Sequence, residues 1–147
     1  MATRWKSLLF GMALGIALFA SLFFNITAHE AGHWTAAEAL NLNPKIHIFE
    51  PYTGGSFSLF TPNFFTTYNG NGSPLADAKI AFAGPLVNLI ITIGMIAAYF
   101  AIPKDKRTFN TALIFIVLIV PSLISFVANL LPLPATDGSL IWNFLRL

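Results

Sequence analysis

The chain has 147 residues, of which 56% are hydrophobic and only 10% charged, and its mean hydropathy is +0.71. Soluble domains carry about 25% charged residues, so this composition excludes a disordered tail, a nucleic-acid arm and an ordinary cytosolic globule, and points to a protein dissolved in lipid. The net charge is +2 and Cys is absent, which excludes a disulfide framework, a thiolate metal site and a cysteine nucleophile.

The first apolar run, Leu8 to Ala28, has 21 residues without a charge. That is enough to cross about 30 Å of hydrocarbon at about 1.5 Å per residue. Arg4, Trp5 and Lys6 precede it as an interface anchor. The run is long for a signal-peptide core, no clean A-x-A site follows, and the helical pattern continues toward Leu42. The first span is therefore placed at about 8–34.

Next comes a different texture. Lys45 to Phe49 alternates loosely, Pro51 to Gly55 reads as a turn and Ser56 to Phe60 as a second strand, a hairpin at about 45–60. Residues 61–73, rich in Asn, Gly, Thr and Ser, read as loop. Ser73-Pro74 then reads as an N-cap with Pro at the first helical position, opening a second span at about 75–102 that Pro103 closes. The third span, about 111–131, carries Pro121, which should kink it, and ends at Pro132 and Pro134. The tail from Ser139 is too short for another span. The expected fold is one α-helical integral membrane domain, residues 1–147, multi-pass, with three transmembrane helices and a small β-hairpin between the first and second.

His29-Glu30-Ala31-Gly32-His33 is H-E-x-x-H. On a helix, residues four apart share a face, so both imidazoles can reach one metal ion, usually zinc, with Glu30 beside them to move protons. The chain has only three His and three Glu, and two of each three fall near the end of an apolar span, within nine residues of each other. Ionisable groups there are costly and usually functional.

A catalytic zinc needs a third protein ligand. Glu38 would point away from a shared metal, and Asp77 reads as an N-terminal helix charge. Glu50 and His47 in the hairpin remain candidates. Counting spans brings the end of span one, the start of span two and the end of span three to one leaflet, so Asp137 lies on the correct side and Asp105 on the opposite one. Asn88 and Asn129 are polar positions in apolar spans. They either hydrogen-bond between helices or hold substrate backbone or the developing oxyanion.

Three motifs, His29-Glu30-x-x-His33, Gly84-Pro85-x-x-Asn88 and Asn129-x-x-Pro132-x4-Asp137-Gly138, together cover about residues 8–140. In that order they resemble the site-2 protease family of intramembrane zinc metalloproteases. The resemblance implies His29, His33 and Asp137 as zinc ligands, Glu30 as the catalytic carboxylate, and hydrolysis of peptide bonds in or beside the bilayer. The partner it implies is a membrane protein with a transmembrane helix, received in extended form by a strand of the hairpin. No inserted peptide-binding module or flanking span is seen. Substrate selection is then simpler, or an accessory membrane protein or a second copy supplies it. The different-class alternative is a non-proteolytic membrane module that keeps the fold for binding or regulation. A third is a soluble-facing zinc peptidase anchored by one helix, with Glu50 as ligand. Basic residues at one end (Arg4, Lys6, Lys104, Lys106, Arg107) put the N-terminus in the cytosol and the metal motif outside, whereas the resemblance implies the reverse.

Overall fold

A computed structural model describes residues 2–48, 64–70, 73–134 and 136–146. Four helices and one two-stranded antiparallel sheet make up the regular structure of these residues. Helix α1 runs from Ala2 to Ala39 without interruption, longer than the first predicted span at both ends. No proline lies within it, and its many Ala and Leu residues favour helix.

Asn41 and Asn43 stop α1, both at positive φ (58° and 46°), a region that Asn tolerates better than most side chains. The Leu42 amide donates to Ala37 O at 3.0 Å and the Asn41 amide to Glu38 O at 2.9 Å. These two bonds satisfy the last carbonyls of the helix, and Leu42 folds back into an apolar cluster with Ala37 and Ile80. The chain leaves this turn as β1, Lys45–Ile48, which pairs with β2, Phe64–Thr67, with Ile46 opposite Thr66. Residues 64–67 were expected to be loop; the run Phe64-Phe65-Thr66-Thr67 is instead the second strand, as its aromatic and β-branched side chains favour. The predicted turn at 51–55 and strand at 56–60 lie outside the described residues, as does Glu50.

Helix α2, Pro74–Ala101, begins as expected: Ser73 caps it by accepting from the Ala76 amide, and Pro74 takes the first turn. A 3-10 turn, Lys104–Lys106, leads to α3, Phe109–Leu130, capped by Thr108; α3 continues through Pro121. The tail is not featureless. After Pro132 and Pro134 the chain turns back into a short helix α4, Asp137–Leu145, pinned to the end of α3 by Trp142 Nε1 donating to Leu130 O at 2.9 Å.

Helix α2 is the hub and packs against α1, α3 and α4. Close packing around α2 and at the α3–α4 corner needs small residues. A Cβ on Gly32 of α1 would lie 2.7 Å from Ala83 O, and one on Gly138 would collide with the Leu131 carbonyl. The distribution of polarity is inverted relative to a water-soluble domain. Buried positions include Ser21, Asn25, His29, His33, Asn88, Thr92 and Ser122, whereas Leu9, Ile16, Phe19, Ile90, Phe100 and Ile124 are exposed. Three helices, α1 from Trp5, α2 and α3, are long and apolar enough to cross a membrane.

Candidate metal centre

Three elements bring one residue or more to a common point. On α1, His29 and His33 sit one turn apart, both buried, with ring centroids 4.6 Å apart and Nε2 atoms 3.1 Å apart. Asp137 arrives as the first residue of α4, where an acidic side chain also suits the positive end of the helix. Its Oδ2 lies 3.0 Å from His29 Nε2 and its Oδ1 3.4 Å from His33 Nε2. Helix α2 supplies the floor. Gly84 is buried there, and a Cβ at that position would lie 2.5 Å from His33 Cε1 and Nε2 and 2.8 Å from His29 Cε1. Only glycine leaves room for both rings.

The donor chemistry tests whether a cation fits. His33 Nδ1 lies 2.7 Å from Ile80 O, a pure acceptor, so Nδ1 carries the hydrogen. A neutral His33 then turns the lone pair of Nε2 toward His29 Nε2 and Asp137. These contacts, with that of His29 Nε2 to Asp137, lie within 3.4 Å, so the three residues offer a donor set that could hold a cation. Ligands about 2.0–2.1 Å from a tetrahedral ion stand about 3.3 Å from one another. The three separations here, 3.0, 3.1 and 3.4 Å, have that scale. Burial alone would push the Asp137 carboxyl up, but the adjoining His29 and His33 imidazoles outweigh it and hold it below the ordinary carboxylate range. Asp137 is thus kept in the ionised form that a cation binds.

Glu30, half-buried on the neighbouring side of α1, is held by β2. Thr66 Oγ1 lies 2.9 Å from Glu30 Oε2 and 3.1 Å from Glu30 O, so its single hydroxyl proton is shared between them. Behind it, Tyr68 donates to Asp77 Oδ1 at 3.0 Å; burial and the Asp77 carboxylate push its phenol up to about 12.

The structure therefore groups His29, His33 and Asp137, with Glu30 adjoining. Asn88 is fully buried, with its amide against His29 Nδ1 (3.1 Å) and Ser125 Oγ (2.6 Å). Asn129, half-buried, donates to Ser125 O at 3.0 Å and lies 3.3 Å from Ser125 Oγ. His47 bonds Thr67 and stacks on Phe65 in the sheet, apart from the metal group. Glu38 is exposed on α1, and Asp105 sits in the turn beyond α2, about 25 Å along the helix from Asn88.

Asn25, Thr27 and Thr35, further polar side chains of α1, bond within their own helix. Thr27 and Thr35 donate to Phe23 O and Ala31 O of their own helix. Asn25 donates to Ser21 O, and the pocket of about 230 Å³ beside Asn25 is lined mainly by apolar side chains of α1, α2 and α3.

Sequence reasoning missed Thr66, Ser125 and the Ile80 carbonyl. Thr66 sat in a segment read as loop. Ser125 carries a signal in its spacing: Ser122, Ser125 and Asn129 recur at three and four residues on an otherwise apolar helix. A backbone carbonyl has no sequence signal.

No family model matches the chain, and neither the curated proteins nor the solved structures compared with it include a match.

Proposed function

We propose that the chain is a membrane-embedded zinc metallopeptidase that hydrolyses peptide bonds within or beside transmembrane segments. The observation that carries this reading is the convergence of two imidazoles and one carboxylate from α1 and α4, with Glu30 one residue from the first imidazole. Two His and a carboxylate suit several divalent metals. The adjoining Glu30 favours hydrolytic zinc, because hydrolysis needs a proton carrier and electron transfer does not.

His29, His33 and Asp137 would hold the ion and leave one position open. When bound, zinc supplies Lewis acidity: it polarises the scissile carbonyl and lowers the pKa of water to about 7. Glu30 takes a proton from the attacking water and delivers it to the leaving amide nitrogen, so that one water and one peptide bond become a carboxylic acid and an amine. Thr66 keeps the Glu30 carboxylate in place for both transfers. The inverted polarity of the molecule and its three long apolar helices support a multi-pass membrane location. A transmembrane substrate hides its peptide groups in its own helix and must unwind locally. An outer edge of the sheet can replace the lost bonds by strand pairing. Asn129, whose amide nitrogen also bonds Ser125, is the candidate for holding substrate or the developing oxyanion, Asn88 being wholly buried against His29.

The test is Glu30→Gln in liposomes with a model transmembrane substrate. Metal content should be unchanged and cleavage should fall about 10²–10⁴-fold. Cleavage at the wild-type rate would refute the role of Glu30.

A further inference from the structure

The geometry points to Asn88 as the positioning residue of His29: with metal bound, its amide oxygen accepts the hydrogen on His29 Nδ1 and a second hydrogen from Ser125 Oγ. This rests on the metal reading proposed above.

The observations are local. Asn88 is wholly buried between α1 and α3. The amide end that faces His29 Nδ1 at 3.1 Å also faces Ser125 Oγ at 2.6 Å, and it stands as Nδ2. The other end, Oδ1, is buried without a partner. The backbone is fixed, since Ser122 Oγ and Thr92 Oγ1 both donate to Asn88 O, at 2.7 and 2.9 Å. The amide can still turn about its last side-chain bond, which exchanges oxygen and nitrogen with little change of shape.

Three considerations favour the oxygen facing His29. A separation of 2.6 Å is short for N–H···O and ordinary for O–H···O. A ring that offers Nε2 to a metal carries its hydrogen on Nδ1, and two donors face to face repel. Donors from α1 and α3 then converge on one oxygen of α2. Asn129 Nδ2, 3.3 Å from Ser125 Oγ, donates to it; Ser125 donates to Asn88 Oδ1; His29 Nδ1–H donates to the same oxygen. With Nδ2 facing instead, Ser125 Oγ would accept from both amides and the bonds among these groups would leave its own proton unused. Either orientation leaves one amide atom unpartnered, so that cost does not discriminate. The consequence is a fixed tautomer for His29 and a ring held at one angle toward Asp137. Outer partners of this kind orient metal-bound histidines and raise their basicity.

The experiment measures zinc affinity by competition with a chromophoric chelator in detergent, for the wild type, Asn88→Ala and Asn88→Asp, with helix content monitored by circular dichroism. Removing an outer partner should weaken zinc binding about 10–100-fold in Asn88→Ala. Asn88→Asp keeps the shape and offers only acceptor oxygens, so it should bind within a few-fold of the wild type. Wild-type affinity in Asn88→Ala overturns the inference, and so does loss in Asn88→Asp equal to that in Asn88→Ala, which would mean that the nitrogen is the end that matters. If Asn88→Ala fails to fold, the Asp variant alone decides. Wild-type protein that takes up no zinc would instead bring down the metal reading, and this inference with it.

Discussion

Thr66 is the side chain whose removal separates catalysis from metal binding. It touches Glu30 twice and none of the three metal-group residues through any of its bonds. A hydrogen bond to a charged group is worth about 1.5–3 kcal/mol, which corresponds to about ten- to a hundredfold in rate where the transition state uses it. Thr66→Val should lower kcat by that factor at unchanged metal content, and Thr66→Ser should restore it. Equal activity in all three proteins would show that Glu30 orients itself. Tyr68 gives a second test. Its pKa is raised from 10.0 to about 12, so the folded state holds the phenol proton more tightly than the unfolded state does. The associated stability is fully present below pH 10 and is lost as pH rises through about 12. The Tm difference between wild type and Tyr68→Phe should therefore shrink across that window. A constant difference would contradict the Tyr68–Asp77 bond.

Between elements, the fit depends on where glycine allows close approach. Gly84 and Gly94 lie on the same helix in opposite circumstances. A Cβ at Gly84 would strike both imidazoles, whereas one at Gly94 would meet nothing within 4 Å. Gly84→Ala should cost about 1–3 kcal/mol through overpacking and reduce metal affinity. Gly94→Ala should be neutral or should stabilise α2 by up to about 1 kcal/mol through helix propensity, with metal binding unchanged. Thermal unfolding and metal titration of the pair check this, and equal effects at the two sites would contradict the packing. At this scale the sequence was only partly legible. The start of α2 could be read from Ser73-Pro74 because capping is local chemistry. The helical pattern of α1 was read as continuing toward Leu42, and its exact stop at Ala39 depends on Asn41 and Asn43 adopting positive φ. Residues 64–67 were misread because Asn, Gly and Thr around them resemble loop, and their pairing with Lys45–Ile48 across an intervening segment is non-local. Helix α4 was missed because nine residues give little periodic signal.

For the whole molecule, the most informative step was topological. His29 and His33 lie on one helical turn, so their proximity follows from spacing alone. Asp137 lies more than a hundred residues further on, and only the count of spans placed it at the same end. Its distances of 3.0 and 3.4 Å to the two imidazoles agree with that count. The fine arrangement behind the site was not legible, because the Ile80 carbonyl, Ser125 and the Asn88 amide meet the site through helix packing, which no local pattern encodes. The same count puts Asp105 at the far end of α2, and its exposed position there agrees.

The direct measurement is elemental analysis of the purified, detergent-solubilised chain and of its Asp137→Ala variant after zinc loading and removal of excess ion. The account predicts roughly one zinc per wild-type chain and a large loss in the variant. A wild type that retains no zinc, or a variant that retains as much as the wild type, would contradict it.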